Sequence, residues 1–176
     1  MQLQWRAVFP RRYFSPSTLN NSMIEEAMTG VFAEHFGEDG LPKQVISMQS
    51  WYHYKGETIT QMMEPCLKVY HPDGSWWDIS AHRGQGYQNS IAGKLAKIHL
   101  THGVVVKQSG KNQGDWWNLK TQNLLVFPDK QLAQTPDPVV VNSPGIDIQA
   151  VGIRAHLDNH TVEFLHAVKT QYANTQ

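Results

Sequence analysis

The 176-residue chain reads as a mixed α+β (α/β) domain, a small mixed sheet with flanking helices. Two kinds of periodicity carry that reading. Apolar residues recur at helical spacing in three stretches, and short apolar or alternating runs bounded by turn residues lie between them. A third observation sets the scale: 40% hydrophobic residues, with six each of Trp, Tyr and Phe, suffice for one packed core. An intrinsically disordered or fibrous chain is excluded.

Taken in order, Leu3, Trp5, Ala7 and Phe9 alternate with other residues and predict an opening strand that Pro10 ends. Ser15-Pro16-Ser17 signals a turn or a helix start. Asn21 to Phe36 then predicts a helix, with Met23, Ala27, Val31 and Phe32 at helical spacing and Gly37 at the C-cap position. Gly30 is its weak point, at a cost of roughly 1 kcal/mol against Ala. Gln44 to Tyr54 reads as a strand and Thr58 to Cys66 as a short helix broken near Pro65. His71-Pro72-Asp73-Gly74 is written in turn residues, and Ser75 to Ser80 follows as a strand.

Gly84 to Thr101 gives the clearest helical stripe, Tyr87, Ile91, Leu95 and Ile98, with Gly103 as terminator. Val104-Val105-Val106 reads as a buried strand, Gln108 to Gly114 as a polar loop and Trp116 to Leu119 as another strand. Phe127 to Pro138 predicts a linker or long surface loop. Val139 to Val141 and Ile146 to Ala155 read as strands, and Asp158 or Asn159 would cap a last helix carrying Val162, Leu165, Val168 and Tyr172. The expected organisation is a single domain over 1–176, with a core around 43–126, a loop or linker at 127–138, and C-terminal strands and a helix at 139–176. One internal echo stands out: Gly74-Ser75-Trp76-Trp77-Asp78-Ile79 resembles Gly114-Asp115-Trp116-Trp117-Asn118-Leu119, which suggests two similar edge-facing strands.

The lone Cys66 excludes an internal disulfide and a four-Cys zinc site, and favours a reducing compartment. Met1 to Phe14, interrupted by Arg6, Arg11 and Arg12, does not look like a cleaved signal peptide. No run approaches the roughly 18 apolar residues that span a bilayer. The expectation is a cytoplasmic protein. Fifteen basic residues balance fifteen acidic ones, which argues against a polyanion bound over the whole surface. The balance is uneven along the chain, however. Residues 13–42 carry five acidic and no basic side chains, whereas 82–120 carry six basic and one acidic.

That basic block opens on Ser80-Ala81-His82-Arg83-Gly84-Gln85-Gly86, where a strand would lead into the predicted helix. A helix N-terminus offers free N–H groups and a positive dipole end to a phosphate. There Arg83 would supply a bidentate fork and His82 a group able to carry a proton, while Gly84 and Gly86 would admit a close ligand. The alternative is a plain polar helix start with glycines making the turn. Glu64 is a candidate general base if the fold brings it near. Lys107, Lys111, Trp116 and Trp117 combine cations with rings, as single-stranded nucleic acid requires, or are a buried strand beside a solvated loop. Glu34-His35 with Glu38 and Asp39 suits either a divalent metal or a solvated helix end. His99 and His102 lack a third ligand, so the sequence assigns no metal ligands.

The run from Asp73 to Arg83, followed by a helix with Ala92, Gly93 and Ala96, resembles the core signature of the ParB/sulfiredoxin superfamily. In that signature a strand leads to a Gly-x-(His or Arg)-Arg motif that binds nucleotide phosphates. Ser80 stands at the Gly position, His82 and Arg83 match, and Ala81 replaces the catalytic cysteine of sulfiredoxins, so sulfinic-acid reduction is disfavoured. The chain's size, its Trp76-to-Gly86 run and its Arg11-Arg12-Tyr13-Phe14-Ser15-Pro16-Ser17 opening are similar to the Osa-type plasmid fertility inhibition factors.

This resemblance implies a ParB/sulfiredoxin-like fold and a protein that blocks conjugative or T-DNA transfer through a type IV secretion system. It implies hydrolysis of ATP with a divalent metal such as Mg²⁺, DNA cleavage at the same site, and DNA and a type IV coupling or transfer component as partners. His82, Arg83 and Glu64 would be catalytic, with Ser80, Gly84 and Gly86 completing the phosphate cradle. The alternative is a non-catalytic ParB-like module that blocks a secretion or partition component by docking. A regulatory DNA-binding domain is less supported, since no helix-turn-helix spacing is evident.

Overall fold

Burial alternates residue by residue through most of this chain, the pattern of a sheet with one face turned inward. In the segment Trp76–Ser80 the fully buried Trp77 and Ile79 alternate with Trp76, Asp78 and Ser80. Neighbouring Cys66–Tyr70 does the same with Leu67 and Val69. A computed structural model describes residues 5–7, 24–88, 95–110, 112, 114–159 and 161–172, and strands account for nearly all of them.

The strands are β1 (Trp5–Ala7), β2 (Ile24–Phe36), β3 (Pro42–Tyr54), β4 (Ile59–Met63), β5 (Cys66–Tyr70), β6 (Trp76–Ser80), β7 (Arg83–Gln88), β8 (Leu95–Ser109), β9 (Trp116–Phe127), β10 (Leu132–Ser143), β11 (Ile146–His156) and β12 (Thr161–Tyr172). They form one antiparallel sheet in the order β1-β2-β3-β4-β7-β8-β9-β10-β11-β12. The sheet forks in its middle. β3 pairs with β5 through residues 44–47 and with β4 through 50–53. β8 closes the fork, pairing with β7 through 95–101 and with β6 through 105–109.

A crease runs across most of the long strands and folds this sheet into two leaves. On β2 it falls at Gly30 (φ 63°), between the pairs Thr29↔Ser50 and Val31↔Met48. It continues through Glu64 (φ 50°) between β4 and β5, then through His102 (φ 64°) and Gly103 (φ 77°) on β8. The register breaks there between Thr101 and Val104, and on β10 between Thr135 and Pro138. Gly152 (φ 78°) and Ala167 (φ 49°) complete the line on β11 and β12. A left-handed residue reverses the local bend of an extended strand, so aligned left-handed positions fold the whole sheet at once. Backbone bonds tie the corner: the Glu64 amide donates to the His82 carbonyl (3.0 Å), Ala81 to Pro65 (3.2 Å) and His82 to His102 (3.3 Å).

One leaf carries the half-strands on the β5–β6 side and the other those on the β4–β7 side, and their inner faces make the core. Trp77, Ile79, Val104, Leu119, Leu124, Val126 and Ile153 are each at most 1% exposed. Ile46, Leu67 and Ile79 of one leaf face Met62, Ile98, Leu100 and Val126 of the other across a small apolar void.

The α+β expectation is therefore replaced by an all-β fold, and the described residues contain no α-helix. The helix read at 21–36 is β2 from Ile24 onward, with residues 21–23 outside the described set. The helix read at 58–66 is β4, a sharp corner and the start of β5. The stripe read at 84–101 belongs to β7 and β8, with 89–94 outside the described residues, and the last helix is β12. The stretch read as a linker holds a 3₁₀ turn, Pro128–Lys130, and the first half of β10. The reason is physical. On β2 and β12 a left-handed residue, Gly30 or Ala167, interrupts the strand, and the apolar residues on its two sides fall at helical spacing. Strand expectations fared better. Those at 44–54, 104–106, 116–119, 139–141 and 146–155 lie within β3, β8, β9, β10 and β11, the one at 75–80 matches β6 but for Ser75, and β1 falls within the opening strand. The two echoed segments are interior strands, however: β6 lies between β5 and β8, and β9 between β8 and β10.

Candidate functional site

The predicted phosphate cradle lies on the crease, and its parts separate. His82 and Glu64 do meet, with His82 Nδ1 3.0 Å from Glu64 Oε1 and 3.3 Å from Oε2, on an exposed corner. Ser80 ends β6, and Arg83, also exposed, starts β7 in register with Met63 and Thr101. The helix start that would have bound phosphate is a strand-to-strand corner, so its free N–H groups are absent: the Ala81 and His82 amides already donate to carbonyls. Gly84 and Gly86 point inward. A Cβ on Gly86 would stand 2.5 Å from Leu95 Cδ2 and from Met62 Cε, and one on Gly84 would stand 3.1 Å from Pro65 Cγ. They let β7 pack against the core and do not admit a ligand.

The cation–aromatic set separates too. Lys107 is exposed on β8 in register with Asp78 and Asn118, and Lys111 lies outside the described residues. Trp116 is 49% exposed, whereas Trp117 is half-buried and meets Trp77 edge to face at 5.0 Å and 87°. The echo in the sequence thus brings together the second Trp of each Trp-Trp pair.

Trp116 and Trp117 do share a site, of a different kind. With Val141, Pro144 and Ile148 of one leaf, and Val162 and Phe164 of the other, they line an open cleft of about 550 Å³. That size suits a small-molecule or chain-like ligand, and the lining is mostly apolar. The polar lining is Gln108, Gly114, Asp115 and Ser143. Asp115 belongs to the β8–β9 turn, where its Oδ2 accepts from Asn112 Nδ2 at 2.9 Å. Among the lining residues it is the one charged side chain. The arrangement offers mostly apolar walls with a few polar groups, suited to holding a hydrocarbon chain.

The cleft ends at β12, whose outer edge is unpaired among the described residues. Register places Tyr172 beside Ile146 and Thr170 beside Ile148, so β12 extends the cleft wall. Leu165, Val168 and Tyr172 are 41%, 50% and 73% exposed. Val162, Leu165, Val168 and Tyr172, expected on a helix face, lie on β12, and helical spacing does not single out the lining residue Phe164. The available signal was Val162–Phe164 alternation, masked by the crease at Ala167.

Comparison with known proteins accords with this geometry. The family model for lipopolysaccharide-assembly, LptC-related proteins matches residues 3–173, nearly the whole chain. Among solved structures the chain is similar to LptH of Pseudomonas aeruginosa, described as the LptA-homologous periplasmic component of the conserved lipopolysaccharide transport device. The TM-score is 0.55 at 9% identity over 73% of this chain and 93% of that one, a likeness of fold. No curated protein matches the chain in sequence.

These findings overturn the ParB/sulfiredoxin resemblance and what it implied. The short His82-Arg83 motif lies at a strand corner in an all-β fold, and the family match spans the whole chain where that resemblance rested on about 30 residues. Fertility inhibition, ATPase and DNase activity, the docking-module alternative, DNA and type IV secretion partners, and the cytoplasmic placement fall with it. The chain belongs to the LptC-related lipopolysaccharide-assembly family.

Proposed function

We propose that this protein carries lipopolysaccharide in the course of its transport, holding acyl chain in the cleft between the two leaves. The observation that carries the reading is the wall itself: Trp116, Trp117, Ile148, Val162 and Phe164 line about 550 Å³ that the side chains of the described residues leave unfilled. Acyl chain entering it would remove apolar surface of both partners from water, at about 25 cal/mol per Å². Sugars and phosphates would stay outside the cleft, since its lining among the described residues holds no lysine or arginine to pair with them. The family match and the periplasmic homologue's fold support the same role and a periplasmic site of action.

The open edge of β12 supports a partner of the same kind, a strand from another component of the transport assembly. A free strand edge is a template for pairing, and proteins usually protect such edges with charge or irregularity. Beside the charges of Glu163 and Lys169 and the bend at Ala167, β12 presents exposed Leu165, Val168 and Tyr172 for such pairing.

A photo-crosslinking residue in place of Phe164 tests the cleft, with one in place of Lys120, exposed on β9, as control. Lipopolysaccharide should be captured from position 164 and not from 120. Equal capture from both, or none from 164, would sink the proposal.

A further inference from the structure

The two walls of the cleft belong to different leaves, so its width depends on the angle at which the sheet folds. At the cleft that angle is set on β11 and β12. Between the pairs Gln149↔Lys169 and Val151↔His166, β11 advances two residues and β12 three. The extra residue sits in the segment that contains Ala167, whose φ is 49°. To one side of it lie Val162 and Phe164, which line the cleft, and to the other lies Thr170, in register with the lining residue Ile148.

The two strands make this turn by different means. On β11 the left-handed residue is Gly152, enclosed by its surroundings: a Cβ there would stand 3.1 Å from Leu165 Cδ1 and 3.4 Å from the Thr135 carbonyl. On β12 the residue is an exposed alanine. Glycine adopts this conformation freely, asparagine and aspartate tolerate it, and a β-branched residue is a true outlier there. An alanine holding it in an edge strand marks a conformation imposed by the fold, as residues in sparsely populated backbone regions do at sites where geometry matters.

We infer that Ala167 is a positioning residue for the cleft: its left-handed backbone turns β12 so that Val162 and Phe164 stand over Ile148 and Trp117. This rests on reading the cleft as the acyl site. A strand denied that turn would lose the extra residue, and a one-residue slip against β11 reverses the faces on which its side chains lie.

The experiment uses the full chain with Cys66→Ser, spin-labelled through Lys107→Cys on one leaf and Thr161→Cys on the other, both exposed positions. Pulsed electron paramagnetic resonance reads the leaf-to-leaf distance without ligand, and a fluorescent undecanoic acid probe reads the cleft. Ala167→Gly and Ala167→Asn should keep both distance and affinity. Ala167→Val should shift the distance and weaken the probe about tenfold, equivalent to about 1.4 kcal/mol of binding, with the β-sheet circular dichroism spectrum intact. Lys169→Val, two residues on, should change neither. An unchanged distance in Ala167→Val overturns the inference. So does loss of folding in that variant, because a positioning residue outside the packed core leaves the fold standing. An unsubstituted protein that binds no probe overturns the acyl reading alone, since the distance is measured without ligand.

Discussion

The packed centre of the folded sheet and the cleft at its β12 end are built from the same kinds of residue and differ in what fills the space between the leaves. In the centre Trp77, Ile79, Leu119 and Leu124 are at most 1% exposed and the facing leaf closes on them. At the β12 end Trp116, Ile148, Val162 and Phe164 bound a volume that no side chain of the described residues occupies. Hydrophobicity therefore does not distinguish core from site here. The distinction lies in whether the opposite leaf supplies a complementary surface. In the centre the apolar area is removed from water within the protein and stabilises the fold. At the cleft part of that gain is left for a ligand to realise.

The largest expected effect comes from removing a side chain at the centre. Trp77→Ala deletes a fully buried ring that packs edge to face on Trp117, and should lower stability by about 3–5 kcal/mol, a large part of what a domain of this kind possesses. Urea unfolding followed by circular dichroism measures it. A loss below about 1 kcal/mol would mean that the centre is no better packed than the cleft.

Phe164→Ala is the matching change at the cleft and should divide stability from function. Its ring is only partly buried, so the expected cost to the fold is about 1 kcal/mol. Affinity for an acyl probe should fall about tenfold, since the ring forms one wall of the site. Equal losses of stability in Trp77→Ala and Phe164→Ala would erase the contrast between the two regions.

How much of this was legible in the sequence depended on the crease. Trp77, Ile79 and Leu119 lie in short uninterrupted stretches, and alternation alone placed their strands. Strands β2 and β12 are each interrupted by a left-handed residue, Gly30 or Ala167. Met23, Ala27, Val31 and Phe32 then fall at helical spacing by accident. Gly30, counted against a helix interior, marked the true feature: a bend in a strand. The cleft was half legible. Trp116 and Trp117 stand out in the sequence as a binding pair, but for nucleic acid, because the basic residues near them in the chain suggest neighbours in space. Lys107 projects from the exposed face of β8, and the second wall comes from β12, which pairing through β9, β10 and β11 brings within reach. No local pattern encodes that juxtaposition. Glu64 and His82, 18 residues apart, do meet, yet as a corner contact on an exposed ridge.

The smallest effect uses Cys66 as a reporter of the centre. Its half-buried thiol donates to Asp78 Oδ1 at 3.5 Å. Burial pushes its pKa up, and the negative charge of Asp78 and the hydrogen bond to it add to the rise, against smaller lowering by Lys68 and Ser47. The folded protein therefore holds this proton more tightly than the unfolded chain does. That contribution to stability is complete below the ordinary thiol range and is lost as pH climbs through the raised folded value. Alkylation by iodoacetamide near pH 8 should be slower than that of the same thiol in urea, because the thiolate is the nucleophile. Asp78→Asn should speed it. The same rate separates the two regions: Trp77→Ala, by loosening the strand that pairs Asp78 with Lys68, should raise the reactivity of Cys66, whereas Phe164→Ala should leave it unchanged. A faster Cys66 in the Phe164 variant would show that cleft and centre move as one, and that the leaves do not separate the work of folding from the work of binding.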